Sequence, residues 1–193
     1  MFQVRIHGRG GQGVVTAAEM LSVAAFLHGR DSQAFPSFGS ERMGAPVVAY
    51  CRIDSAPIRI HDPVAEVDCL VIQDPTLLHE ADVFSGLHAD SYVLINSERT
   101  FMALGVEDIA RGRRLERLLT VPATDLARKY IGRPVPNTAL LGGLVAMTEI
   151  VPLTAVLAAI RRRFEGELAD ANAMVASAAA AYVRAEREAA RHA

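Results

Sequence analysis

Residues 2–13 read FQVRIHGRGGQG, a short strand pattern that runs directly into a glycine-rich turn. Phe2, Val4 and Ile6 alternate with polar residues, and apolar side chains then recur at helical spacing over residues 14–27. A strand, a GxGxxG turn and a helix in this order are typical of Rossmann-like α/β domains. The glycines allow a tight turn and close packing of the helix against the sheet.

The amino terminus of such a helix carries N–H groups without intrahelical partners, and these groups can hold an anion. A site for NAD or FAD would also need an acidic residue at the end of the second strand. That strand ends in Ala34-Phe35-Pro36, whereas Asp31 lies at its start. Three interpretations therefore stay open: a dinucleotide site, close packing without a ligand, and contact with another anion or a partner protein. The candidate binding residues of the turn are Gly8, Gly10, Gly11, Gln12 and Gly13.

The rest of the chain alternates between apolar strand-like runs and helical patterns, which predicts one α/β domain over residues 1–193. We expect a three-layer α/β/α Rossmann-like domain with a mixed, mostly parallel sheet and a helical C-terminal third. A hairpin turn is predicted at residues 54–57 and a helix start at residues 73–76. Further strands are predicted over residues 32–35, 47–53, 58–60, 67–72, 92–95 and 117–121, and further helices over residues 123–130, 137–148, 153–164 and 168–187.

Composition excludes several functional classes. A net charge of −2 without a long Lys/Arg run argues against nucleic acid as a partner. The longest apolar stretches fall short of the ~18 residues that a membrane span needs, and no secretory signal pattern opens the chain, so we expect a cytoplasmic protein. Cys51 and Cys69 match no metal or cluster spacing, and the histidines form no catalytic set, so no metal site or catalytic residue is predicted. A mean hydropathy of +0.20 suggests apolar surface that a partner covers.

A second unusual segment, FPSFGSERMGAP, occupies residues 35–46. Two phenylalanines, two prolines and two glycines indicate an ordered loop, whose polar tip includes Ser40, Glu41 and Arg42. The loop either packs on the sheet as a plug or serves as a recognition loop at a subunit junction, where Phe and Arg are enriched.

The two segments together resemble the γ subunit, or γ domain, of the 2-oxoacid:acceptor (ferredoxin) oxidoreductases. The resemblance covers most of the chain, and the occurrence of both motifs in this order makes it specific. It extends to VVAYCRI at residues 47–53, QDPTLL at residues 73–78 and VPNTALLG at residues 135–142.

This resemblance implies a complex that oxidatively decarboxylates a 2-oxoacid, usually to an acyl-CoA. In that family the α and β subunits bind thiamine diphosphate with Mg, a ferredoxin-like subunit holds iron–sulfur clusters, and ferredoxin or, through a flavin subunit, NAD accepts the electrons. The γ subunit holds none of these cofactors alone, is not catalytic, and has been linked to the coenzyme A side of the site. The diphosphate of CoA could bind at residues 10–13, with Ser40 and Arg42 as further contacts.

Two alternatives remain at the level of sequence. One is a free-standing Rossmann-like protein that binds a nucleotide through Gly8, Gly10 and Gly13. The other is a purely scaffolding subunit, in which the turn and Arg42 contact no ligand. The 2-oxoacid and the electron acceptor leave no signature in this chain.

Overall fold

A computed structural model describes residues 1–37, 43–60, 62, 64–80 and 82–192. The strands are β1 (Phe2–Arg9), β2 (Asp31–Pro36), β3 (Pro46–Asp54), β4 (Val67–Ile72), β5 (Leu87–Asn96) and β6 (Leu118–Val121). The α-helices are α1 (Val14–Leu27), α2 (Ala123–Ile131), α3 (Asn137–Thr148), α4 (Leu153–Arg163) and α5 (Gly166–Arg191). Short 3-10 helices span Pro75–His79, Glu107–Ala110 and Leu115–Arg117.

The strands form one sheet in the order β2-β3-β1-β4-β5-β6. β1, β4, β5 and β6 are parallel, while β3 runs antiparallel to both β1 and β2. Val4 at the centre of β1 pairs with Cys51 on one side and with Cys69 on the other. The predicted α/β fold with a mixed, mostly parallel sheet is confirmed.

All five α-helices of the described chain lie on the first face of the sheet, where α1, α3 and α5 contact the strands and α2 and α4 pack against these helices. Helix α3 lies at the centre of this layer, and each of its residues from Asn137 to Met147 is buried. Its contact with α5 is very close, because a Cβ added to Gly142 would stand only 2.0 Å from the carbonyl oxygen of Ala176. This close packing explains why a glycine stands at position 142 in the middle of an otherwise apolar helix. No helix among the described residues is long and apolar enough to cross a membrane.

The second face is covered by the 3-10 helices Pro75–His79 and Glu107–Ala110 and the segments beside them, so the third layer of the predicted arrangement contains no α-helix within the described ranges. Part of this face is polar. Arg52 is 1% exposed and donates to the carbonyl oxygens of Ile60 and Asp62. Arg5 donates in the same way to Val83 and Ser85. These two guanidinium groups hold the covering segments on the sheet.

One local prediction was wrong. Residues 58–60 do not form a strand: the main-chain N–H of Ile58 donates to the carboxylate of Asp31, and the carbonyl of Ile60 accepts from Arg52. Side chains therefore satisfy this backbone where a strand ladder was expected. The helix start predicted within residues 73–76 is present, as the 3-10 helix Pro75–His79, at whose start Asp74 accepts a hydrogen bond from the N–H of Thr76.

Candidate functional site at the glycine turn

The turn at residues 8–13 joins the carboxyl end of β1 to α1. The neighbouring parallel strand β4 ends beside it, and the connections from the two strands leave toward opposite faces of the sheet. In open α/β sheets, ligands bind in the crevice that forms where connections diverge in this way. The position of the turn therefore makes it the first candidate site.

Two glycines of the turn are required by packing. A Cβ at Gly8 would stand 2.6 Å from Cγ2 of Val14 and 3.1 Å from Cβ of Gln73. Gly13 has φ = 73°, and a Cβ there would stand 2.5 Å from Nδ2 of Asn137. At Gly8 an added side chain would press on Val14 and Gln73, and at Gly13 the positive φ itself disfavours any residue with a Cβ.

The amino termini of α1 and α3 meet at Gly13. Nδ2 of Asn137, the first residue of α3, lies 3.4 Å from the carbonyl oxygen of Gly13 and donates to it. The N-cap position of α3 is Pro136, and Oδ1 of Asn137 accepts from the adjacent N–H of Thr138. Neither helix has a side-chain cap. The positive ends of two helix dipoles therefore lie close together, which favours a negatively charged ligand.

Gln12 bridges the turn to the residues that follow β4. Its Oε1 accepts from the N–H of Arg9 at 2.8 Å, and its Nε2 donates to Asp74 at 2.7 Å. Burial alone would raise the pKa of Asp74, but hydrogen bonds from Thr76 and Gln12, together with the charge of Arg9, lower its pKa overall. Asp74 is therefore ionised at neutral pH and holds Gln12 in place.

Arg9 connects three segments at the outer side of the turn. Its guanidinium donates to Glu80, to Thr76 and to the carbonyl oxygen of Gly44, the last at 3.2 Å. The contact with Gly44 ties the turn to the second unusual segment of the sequence.

The described end of that segment, residues 43–46, lies directly on the turn. Gly10 donates to the carbonyl of Ala45 at 2.9 Å and accepts from the N–H of Gly44 at 3.1 Å. Met43 is 86% exposed, and its Cε lies 3.0 Å from the position that a Cβ on Gly11 would occupy. The structure thus brings the two sequence motifs together. Ser40 and Arg42 lie outside the described residues.

Gln73 is a further polar residue beside the turn, and it was not among the residues predicted for the site. Gln73 follows β4 directly and is 1% exposed, and neither its Nε2 nor its Oε1 has a hydrogen-bond partner in the described chain. Its main-chain N–H donates to His7, and its carbonyl accepts from Asn96. A polar residue placed directly after a buried apolar strand was the signal that could have identified it.

His7 precedes the turn but lies on the other face of the sheet, because side chains alternate along β1. It is 8% exposed, and its Nε2 has no partner within the described residues. Burial and the nearby charge of Arg5 lower the pKa of His7 to about 4. The ring is therefore neutral at physiological pH and faces away from α1.

One serine, one histidine and one aspartate come together on β4 and β5, at the end of the sheet opposite the glycine turn. Nε2 of His88 lies 3.2 Å from Oδ1 of Asp68, and Oγ of Ser91 accepts from the main-chain N–H of His88. The hydroxyl of Ser91 donates to the carbonyl of Val67 and is fully buried. Its proton is not shared with the imidazole, so this group supports the sheet and lacks the hydrogen bond of a nucleophile and its base.

The sequence and the fold of this chain are both similar to those of known proteins. The sequence pattern of the family described as pyruvate ferredoxin/flavodoxin oxidoreductase matches residues 3–182. The chain is 45% identical over 176 residues to the pyruvate/ketoisovalerate oxidoreductases common subunit gamma of Pyrococcus abyssi, covering 91% of this chain and 94% of that one. It is 43% identical over 176 residues to pyruvate synthase subunit PorC of Methanothermobacter marburgensis, with the same coverage of both chains. The crystal structure of pyruvate oxidoreductase subunit PORC from Thermotoga maritima superposes with a TM-score of 0.80 at 37% identity, covering 93% of this chain and 95% of that one.

Proposed function

This chain belongs to the pyruvate ferredoxin/flavodoxin oxidoreductase family, and from that premise we propose that it is the γ subunit of a 2-oxoacid:acceptor oxidoreductase complex. The observation that carries the proposal is the match to γ and PorC subunits over nine-tenths of both chains. The complex converts a 2-oxoacid and CoA to an acyl-CoA and CO2, and passes two electrons to ferredoxin or NAD. The α and β subunits bind thiamine diphosphate with Mg, and a ferredoxin-like subunit holds the iron–sulfur clusters.

This division of labour is consistent with the environment of the two cysteines. Cys51 and Cys69 are fully buried in the sheet core, where burial raises the pKa of both thiols. A cluster ligand must be a thiolate that its metal can reach. Both cysteines therefore serve as small apolar core residues in this chain.

The name of the Pyrococcus relative points to a subunit shared between two oxidoreductases, for pyruvate and for ketoisovalerate. We extend this property to the present chain and propose that it does not select the 2-oxoacid. Selection then rests on the subunits that bind thiamine diphosphate, and the same chain can serve complexes with different substrates.

The proposed contribution of this subunit to the reaction is on the CoA side. The uncapped amino termini of α1 and α3 meet at Gly13, and together they offer N–H groups and positive dipole ends to a diphosphate. Gly10 is bonded to residues 44 and 45 and Gly11 lies against Met43, so contact of the ligand with these two glycines stays a prediction. Contacts from Ser40 and Arg42 stay a prediction.

The composition of the complex is tested by isolating the chain at native abundance from its own cells. We expect thiamine-diphosphate and iron–sulfur subunits to co-purify with CoA-dependent 2-oxoacid oxidation. Recovery of a lone monomer loaded with a nucleotide would instead support the free-standing Rossmann-like protein.

The CoA role is tested at Thr16, in the first turn of α1. Thr16→Asp places a negative charge where the diphosphate would bind, so we expect the KM for CoA in the reconstituted complex to rise about tenfold while the KM for the 2-oxoacid stays constant. Thr16→Asn is the neutral control of matching shape. An unchanged KM for CoA in Thr16→Asp would leave the scaffolding subunit as the better description. Arg42→Ala extends the test, with the exposed Arg111→Ala as its control.

A further inference from the structure

The side-chain amide of Gln73 makes no hydrogen bond within the part of the chain that the structure describes. Its main-chain N–H and carbonyl are both engaged, the first with His7 at 2.7 Å and the second with Asn96 at 2.7 Å. The amide group at the end of the side chain is buried, and both of its polar atoms lack partners among the described residues. A buried amide in this state costs more free energy than an apolar side chain of the same size.

Gln73 lies next to Gly8, the first residue of the glycine turn. Its Cβ lies 3.1 Å from the point where Gly8 would carry a Cβ, and the same point is 2.6 Å from Val14 and 2.9 Å from Oε1 of Gln12. The side chain of Gln73 therefore begins on the side of Gly8 where Val14, in the first turn of α1, and Oε1 of Gln12 also lie. Among the described residues, Gln12 is held there by its hydrogen bonds to the main chain of Arg9 and to Asp74.

We propose that Gln73 is a ligand-binding residue of the crevice between β1 and β4, and that Gln12 covers it until the ligand enters. This inference rests on the proposed function, since the ligand that reaches α1 is then CoA. The amide of Gln73 presents one donor group and one acceptor, so the ligand group that satisfies both carries an acceptor and a donor, as an amide or a hydroxyl does. The ionised diphosphate of CoA has only acceptor oxygens and would satisfy only the nitrogen. Gln73 thus binds the pantetheine or ribose part of CoA, while the helix termini bind the phosphates.

The test replaces Gln73 by Leu or by Met in the reconstituted complex. Both variants remove the two unpartnered atoms and retain side-chain volume. Without CoA, we expect the melting temperature of the complex to rise or stay level, because no hydrogen bond is lost. The KM for CoA is expected to rise about tenfold with kcat unchanged, because the ligand then buries an unpaired polar group.

A control variant and a second ligand distinguish an effect of the Gln73 amide from a general loss of stability and from an effect on phosphate binding. Ser91→Ala removes a buried, hydrogen-bonded hydroxyl from β5, at the end of the sheet opposite the glycine turn. This variant is expected to lower the melting temperature without changing the KM for CoA. Inorganic pyrophosphate, tested as a competitor of CoA, should keep its inhibition constant in Gln73→Leu and lose affinity in Thr16→Asp.

Each remaining outcome overturns the inference in a distinguishable way. If Thr16→Asp raises the KM for CoA and neither Gln73 variant does, Gln73 is not a ligand-binding residue and the proposed CoA role stands. If none of these variants changes the KM, the CoA role itself is wrong. A lower melting temperature without CoA, or failure of both Gln73 variants to assemble, would show that the fold itself requires the amide.

Discussion

Arg9 and Glu80 are 71 residues apart in the sequence, yet both carboxylate oxygens of Glu80 lie 2.8 Å from Nη2 of Arg9. The same guanidinium donates to the carbonyl of Gly44. One side chain thereby joins the glycine turn, the segment after β4 and residues 43–46. Because these three segments form the rim of the candidate site, the arrangement of the rim depends on Arg9.

Removing this junction is expected to loosen residues 43–46. In Arg9→Gln, trypsin should cleave the complex after Arg42 several times faster than in the wild type, because cleavage requires local opening of the adjoining segment. Glu80→Gln, which keeps Arg9 but weakens its partner, should show a smaller increase. Equal cleavage rates in all three proteins would show that the two main-chain hydrogen bonds of Gly10 hold the segment without help.

The contact between α3 and α5 predicts a strong difference between two adjacent glycines. The added methyl of Gly142→Ala would meet the main-chain carbonyl of Ala176 at 2.0 Å, and helix backbones must separate to admit it. In Gly143→Ala the nearest atoms are side-chain methyl groups of Leu94 and Val183 at 3.1 Å, which can shift. We expect Gly142→Ala to lower the free energy of unfolding by about 3 kcal/mol and Gly143→Ala by about 1 kcal/mol or less. Urea denaturation measures both, and equal losses would contradict the packing at Ala176.

The end of α3 is strained at one residue. Glu149 follows the helix with φ = 56°, a conformation that favours glycine, and its carboxylate lies 2.7 Å from Arg187. Since Glu149 is largely exposed, the ion pair contributes little. Glu149→Gly should therefore raise the free energy of unfolding by up to about 1 kcal/mol, whereas Glu149→Ala keeps the strain, loses the pair and should lower it. A thermal melt in which both variants lose stability would show that the ion pair outweighs the strain.

The buried His7 predicts a pH dependence of stability. The folded protein lowers the pKa of His7 to about 4 from 6.5, so the unfolded chain binds the proton more readily between these values. Stability is then complete above about pH 6.5 and falls as the pH drops toward 4, by at most about 3 kcal/mol. In His7→Phe this part of the acid destabilisation should disappear, while the exposed His28→Gln should behave as the wild type. Chemical denaturation at pH 7.5 and at pH 5 measures the free energy of unfolding of each protein. An equal loss of this free energy between the two pH values in all three proteins would contradict the prediction.

Much of the fold could be predicted because the relevant signals are local. The alternation of Phe2, Val4 and Ile6, the glycine turn and the apolar spacing of α1 each depend on neighbouring residues, and the structure confirms these elements. The failed strand at residues 58–60 has a different cause. Its backbone is satisfied by Asp31 and Arg52, and no property of the segment itself shows that those side chains are near.

The sequence by itself determined the strand, turn and helix at the start of the chain, the mixed sheet and the family, because local periodicity and the order of motifs carry that information. Only the tertiary structure decided what surrounds the turn. The meeting of α1 with α3 at Gly13, the link from Arg9 to Glu80 and the buried amide of Gln73 all join segments far apart in the chain. Such contacts depend on how the sheet and helices pack, and a side chain becomes part of the site only when the fold has placed its partners.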